Sequence, residues 1–173
     1  MGTLGWTPAP ERAELLATPT AAAVRALGLE CWVAEIDPEL ADTAAFCAAY
    51  QVPPENSANC VVVAGRRAEE TRTAACMVLA TDRADVNKTV RKHLDVRKIS
   101  FAPMADAVSL TRMEYGGITP VGLPADWPVL VDAAVAATDL VVIGSGIRGS
   151  KILIPGASLA ALPAAETLAL ALG

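Results

Sequence analysis

Aromatic residues are scarce in this chain, histidine is scarcer, and long apolar runs are absent. Phe, Trp and Tyr make up 4% of the 173 residues, although 53% are hydrophobic. Alanine and valine must therefore fill much of the core through small side-chain contacts. The one histidine, His93, sits in the basic, helix-like run from Lys88 to Leu94. Zinc centres need several His or Cys at close spacing, so neither a structural nor a hydrolytic zinc is expected. A Ser-His-Asp triad would have to recruit His93, and a solvated helix position is the better reading of it. Cys31, Cys47, Cys60 and Cys76 are spaced by 16, 13 and 16 residues, which matches no zinc or redox motif. They read as buried free thiols. No apolar stretch reaches the roughly 18 residues of a bilayer-spanning helix. Met1 to Glu14 lacks the basic-then-apolar order of a secretory signal. A soluble, cytoplasmic protein is the expectation.

Glycine and proline, by contrast, crowd into one stretch, Met113-Glu-Tyr-Gly-Gly-Ile-Thr-Pro-Val-Gly-Leu-Pro124. Gly116, Gly117 and Gly122 permit backbone conformations closed to other residues, and Pro120 fixes the turn. The stretch reads first as a tight turn. It also reads as a loop that presents backbone N–H and C=O groups to a small polar ligand.

Charge is unevenly spread. The net charge is −5, but residues 1–60 carry eight acids and two bases, whereas residues 61–100 carry five acids and nine bases. The basic block, with Arg66, Arg67, Arg72, Arg83, Lys88, Arg91, Lys92, Arg97 and Lys98, fits either a solvated helix and hairpin or a phosphate-facing patch.

Taken in order, residues 1–17 read as a flexible lead-in and residues 18–173 as one domain. Thr18-Pro19 opens a helix, with Thr18 as its cap, and Gly28 ends it. Glu30–Ile36 is a strand, and Ala41–Tyr50 a helix closed by Pro53-Pro54. Cys60–Ala64 and Thr73–Ala80 form an antiparallel hairpin. A helix capped by Asp82 or Asp85 runs to Leu94, Lys98–Phe101 is a brief strand, and Pro103–Thr111 is a helix leading into the glycine loop. Strands at Pro128–Val131, Leu140–Ile143 and Lys151–Ile154 follow, then a helical turn at Ser158–Leu162 and an apolar tail from Glu166 to Leu172. Short strands mixed with helices and hairpin-length turns predict an α+β fold: a twisted, mixed, mostly antiparallel sheet flanked by helices.

Gly144-Ser-Gly146-Ile-Arg-Gly149 spells the dinucleotide fingerprint, but the required helix does not follow it. Lys151-Ile-Leu-Ile-Pro155 is a strand ended by proline. A tight turn between strands is expected, with Ser145 and Arg148 able to line a pocket.

Four segments together carry a resemblance. They are Asp42-Thr-Ala-Ala-Phe-Cys-Ala-Ala-Tyr-Gln-Val-Pro-Pro54, Ser57-Ala-Asn-Cys-Val-Val-Val63, Gly116-Gly-Ile-Thr-Pro-Val-Gly122 and Val141-Val-Ile-Gly-Ser-Gly-Ile-Arg-Gly149. In this order they resemble the YbaK-like aminoacyl-tRNA editing family, whose domain also occurs as an insertion in bacterial prolyl-tRNA synthetases. The third segment is similar to that family's GxxxP substrate loop and is the most specific of the four.

The resemblance implies hydrolysis of the ester between a wrong, small amino acid and the 3′-terminal ribose of tRNA. Water attacks with help from the ribose 2′-hydroxyl, without metal, cofactor or protein nucleophile. Gly116, Gly117, Ile118, Thr119, Pro120 and Gly122 are then the substrate loop, completed by Gly144, Ser145, Gly146 and Arg148. The N–H groups of Gly116, Gly117 and Gly146 are expected oxyanion donors. Arg91, Lys92 and Lys151 are expected to contact the mischarged tRNA, and an aminoacyl-tRNA synthetase is a second candidate partner. The sequence departs from the family at Asn59, where a substrate-contacting lysine is common. Arg148 and Lys151 are the candidates to replace that charge. Cys60, beside Asn59, reads as a buried thiol and not a nucleophile. The alternative is a catalytically silent relative that binds an aminoacyl-tRNA end, a small amino-acid-like ligand or a synthetase.

Overall fold

The computed structural model describes residues 1–172; Gly173, the last residue of the expected 18–173 domain, lies outside them. The α+β class and the mostly antiparallel pairing hold, with the strands divided between two sheets. One sheet contains β1 (Thr7–Pro8), β2 (Trp32–Glu35), β8 (Ser150–Ile154) and β7 (Val141–Gly144), in that spatial order and antiparallel throughout. The other contains β5 (Lys98–Phe101), β3 (Ala58–Arg67), β4 (Glu70–Leu79), β6 (Val129–Asp132) and β9 (Ala165–Leu168). In it β4–β6 and β6–β9 are parallel, and the pairs made by β3 are antiparallel. A bridge between Ser57 and Val142 links the two sheets.

The hairpin is longer than Cys60–Ala64 and Thr73–Ala80. Its arms pair without interruption from Ala58↔Leu79 to Arg67↔Glu70. Consecutive valines in β3 face small and apolar residues of β4, so both faces can pack. Val63, Ala74, Cys76 and Val78 meet Val86, Val90 and Leu94 of the helical segment on one side. Met77, Leu79 and Ala58 join Val33, Ile143, Ile152 and Ile154 on the other, in the main core between the sheets.

Local chemistry places the helices. α1 (Thr18–Leu27) has Pro19 in its first turn and stops at Gly28, whose φ is 59°. Thr18 lies inside that first turn and is not the cap; Ala17 precedes the helix and offers no side-chain bond. α2 (Thr43–Tyr50) starts two residues later than Ala41, because the Asp42 carboxylate accepts from the N–H groups of Ala44 and Ala45. Asp85 caps a wide π-type turn, Val86–Val90, which runs into α3 (Arg91–His93). α4 (Met104–Thr111), α5 (Ala133–Ala136) and α6 (Gly156–Ala160) complete the set. His93 is paired with Glu166 at 2.7 Å, on the protein's exterior.

Two expectations are corrected. Residues 1–17 are not a free lead-in: Thr7–Pro8 pairs with Val33 and Trp32, Ala9 and Leu16 are buried, and Ala17 donates its N–H to Ser145 O at 3.1 Å. The tail from Glu166 begins inside a strand: residues 166–168 are the end of β9, in parallel register with β6, and Ala171 bridges Ala84. In both cases a distant strand satisfies the backbone, and no short-range pattern announces that.

Candidate active site

The glycine loop and the last glycine turn are bound to each other. Glu114 N–H donates to Gly146 O at 2.9 Å, and Gly146 N–H donates to Gly117 O at 2.7 Å. The Glu114 side chain accepts from Arg148 N–H at 2.8 Å. The approach is too close for side chains. A Cβ on Gly117 would stand 2.5 Å from Ile147 O, and one on Gly144 would stand 2.6 Å from Gly117 O. The Gly117 N–H is likewise used internally, donating to Glu114 O at 3.0 Å. Gly117 and Gly146 are therefore not oxyanion donors as expected. Of those three N–H groups, Gly116 alone makes no internal hydrogen bond among the described residues.

In front of the joined loops lies a cavity of about 600 Å³, within the roughly 300–1,000 Å³ range of small-molecule sites. Gly116, Ile118, Gly144 and Arg148 line it, together with Asn59 and Lys151. The structure thus brings Asn59, the glycine loop and the last glycine turn to one place. Gly117, Thr119, Pro120, Gly122, Ser145 and Gly146 stand behind that surface and hold it. Ser145 is fully buried, and its single hydroxyl proton is shared between the backbone carbonyls of Ile147 and Ser150, each 3.1 Å from Oγ. Thr119 is also fully buried, and its hydroxyl has no partner among the described residues. A Cβ on Gly122 would meet Pro19 O at 2.5 Å, so α1 braces the loop from the rear.

Asn59 enters from β3, and its Oδ1 accepts from Thr43 Oγ at 2.6 Å. That bond orients the amide, and Nδ2 makes no hydrogen bond among the described residues. Arg148 spends its guanidinium on backbone: Nη1 donates to Tyr115 O at 3.2 Å and Nη2 to Pro38 O at 3.0 Å. Cys60 also lines the cavity, but burial pushes its thiol far up, so it stays protonated and weakly nucleophilic.

Lys151 does not stand on the exterior. It is 7% exposed and lines the cavity from β8, because strand pairing with Ala34 and Gly144 points it inward. Burial lowers its pKa to about 8.

Arg91 lies in a second cleft, of about 740 Å³, whose lining includes Arg66, Arg97 and Lys98 and, among the described residues, no carboxylate. Lys92 is exposed and lines neither cavity. The two clefts share β3 and β5: Phe101 opposite Val63 borders the first, and Lys98 opposite Arg66 borders the second. These positions are three residue steps apart along the strand, roughly 10 Å at about 3.3 Å per residue. Sequence reasoning missed the mouth of the site. Phe101, Met104 and Tyr115 line it and are 68%, 55% and 58% exposed. The scarcity of aromatics was the available signal, since two of the chain's few aromatic rings are in water here.

Residues 37–162 match the family model of the aminoacyl-tRNA editing domain. No curated protein matches the chain significantly. Among solved structures, one described as a candidate trans-editing enzyme for prolyl-tRNA synthetase superposes with a TM-score of 0.76 at 19% identity, covering 91% of this chain and 97% of that one. A hypothetical protein superposes at 0.79 and 18% identity over 89% and 99% of the two chains. A scaffold used for computational epitope grafting superposes at 0.78 and 19% identity over 91% and 97%. At these identities the structural likeness speaks to the fold. The family model covers well over half of the sequence, and on that ground the chain belongs to the aminoacyl-tRNA editing domain family.

Proposed function

We propose that this chain deacylates a mischarged tRNA that carries a small amino acid. The observation that carries the reading is the convergence of Asn59, Gly116 and Gly144 on one cavity whose strands continue into the Arg66–Arg91–Arg97–Lys98 cleft. The acceptor end enters the cavity while its backbone phosphates lie along the basic cleft. Phe101 and Tyr115 at the mouth receive the terminal base by stacking. Ala58, Val62, Ala107 and Ile118 give the interior an apolar wall suited to a small aliphatic side chain, the second sieve of editing.

An aminoacyl ester is already activated, so orientation and charge stabilisation supply much of the rate. The water oxygen adds to the carbonyl carbon, assisted by the ribose 2′-hydroxyl. Asn59 Nδ2 and Gly116 N–H are the donors available to hold the substrate carbonyl. Collapse breaks the bond to the ribose 3′-oxygen, which leaves with one of the water protons.

The experiment is deacylation of a panel of mischarged tRNAs by wild type, Asn59→Lys and Gly117→Ala. Robust hydrolysis by wild type that is lost in Gly117→Ala is the expected result. Hydrolysis absent from wild type and appearing in Asn59→Lys would instead establish a binding module, the reading favoured by the neutral, Thr43-bonded Asn59.

A further inference from the structure

Lys151 is a buried cation without a counter-ion. Its Nζ donates one hydrogen bond, to Ala41 O at 3.0 Å, and sits 5.1 Å from the Phe46 ring centroid. An ammonium has three donors, so two remain. Among the described residues no carboxylate reaches it within ion-pair distance. The titratable and charged groups around it are Asp42 and Cys47 of α2 and Arg148 of the glycine turn. The Asp42 carboxylate lies beyond ion-pair distance and accepts through Oδ1 from the N–H groups of Ala44 and Ala45 at the cap of α2. Cys47 is held protonated by burial, and Arg148 is a like charge.

Such an arrangement is poor for stability. A buried charge is tolerated when it is paired, and an apolar side chain of the same length would pack beside Phe46 without a desolvation penalty. Yet Lys151 opens onto the same cavity as Asn59, Gly116 and Gly144. The missing counter-charge is one that arrives in that cavity and is used there.

We propose that Lys151 is the cation that stabilises the oxyanion formed when water adds to the substrate ester. The proposal rests on the deacylase reading above and adds the charge that reading lacks. As the water oxygen bonds to the carbonyl carbon, the carbonyl electron pair moves onto oxygen, and that negative charge faces the two free Nζ–H donors. On collapse the pair returns, the carbon–oxygen bond to the ribose breaks, and one water proton goes to the 3′-oxygen. The other water proton dissociates from the carboxylic acid formed. The low-dielectric setting strengthens the interaction with a charge that exists only near the transition state.

The test compares the full-length wild type, Lys151→Met and Lys151→Arg on a mischarged tRNA that wild type hydrolyses. Lys151→Met is expected to lower the single-turnover rate constant by about 100-fold or more, the usual scale for loss of one oxyanion donor, with half-saturation by tRNA nearly unchanged. It is also expected to melt at a higher temperature than wild type. Wild-type kcat/KM, corrected for spontaneous hydrolysis, falls as pH rises through about 8, because the neutral amine loses the charge. Lys151→Arg keeps measurable activity and loses that inflection. Two results overturn the proposal while leaving the deacylase reading intact: Lys151→Met as active as wild type, or a wild-type profile without the inflection. A Lys151→Met that is inactive and also less stable assigns the lysine a structural role and overturns it too. A wild type inactive on every mischarged tRNA defeats the deacylase reading and this proposal with it.

Discussion

Lys151 links stability to pH in a direction opposite to the common case of a lysine that gains a partner on folding. Burial lowers its folded pKa from 10.5 to about 8. Below pH 8 both folded and unfolded chains are protonated, and the folded one bears the full desolvation penalty. Between about 8 and 10.5 the unfolded chain holds more protons, so stability rises with pH. The interval corresponds to a gain on the order of 3 kcal/mol at about 1.36 kcal/mol per unit. Denaturant unfolding across it is expected to show wild type gaining on Lys151→Met as pH rises. A constant difference between the two would contradict the assignment. Asn59 acts through a different bond. Removing the Thr43 hydroxyl with Thr43→Val frees the amide to rotate, and a fall in kcat without loss of stability is the expected outcome.

At the level of elements, the loop–turn pair behaves as one rigid piece. Gly117→Ala drives a Cβ toward Ile147 O, now 2.5 Å from its position. Backbone, unlike a flexible side-chain end, cannot step aside, so a loss of about 1–3 kcal/mol of stability is expected together with loss of activity. The edge strand β5 makes the contrasting case. Phe101 is 68% exposed, so Phe101→Ala leaves the melting temperature unchanged. If the terminal base stacks there, half-saturation by tRNA weakens by about 1–3 kcal/mol, roughly 5- to 150-fold, while Phe101→Trp restores it. Equal half-saturation for all three proteins would place the base elsewhere.

For the molecule as a whole, a basic cleft stands apart from the cavity. The chain is acidic overall, at −5, yet the β3–β5 cleft gathers Arg66, Arg91, Arg97 and Lys98 with no carboxylate among the described residues. Arg66→Glu with Lys98→Glu is expected to weaken tRNA binding and to flatten its salt dependence, by about 0.9 in slope for each duplex phosphate that the cleft no longer neutralises. Cleavage of a short aminoacyl-nucleotide ester is expected to be unaffected, since it does not reach the cleft. The N-terminal segment is part of the same assembly. Ala17 donates its N–H to Ser145 O, and Leu15 O accepts from the Ser150 hydroxyl, so a stretch whose sequence reads as a free lead-in holds the Ser145–Ser150 turn.

The sequence by itself determined the features whose causes are local. Gly and Pro at 113–124 and Gly at 144–149 mark the two loops because few other residues adopt or permit those backbones, and the valine-rich run at 60–64 marks a strand by its pattern. The cap at Asp85 was legible for the same reason, whereas the Asp42 cap was not, and it moved the start of α2. Tertiary structure alone decided where side chains point once distant strands pair. The pairing of β8 between β2 and β7 buried Lys151 and turned it toward the cavity. The edge position of β5 left Phe101 in solvent. Internal bonds removed the Gly117 and Gly146 N–H groups from the set of available donors. Burial, strand register and hydrogen-bond partner are properties of contacts between residues far apart in the chain, and composition and spacing do not specify them.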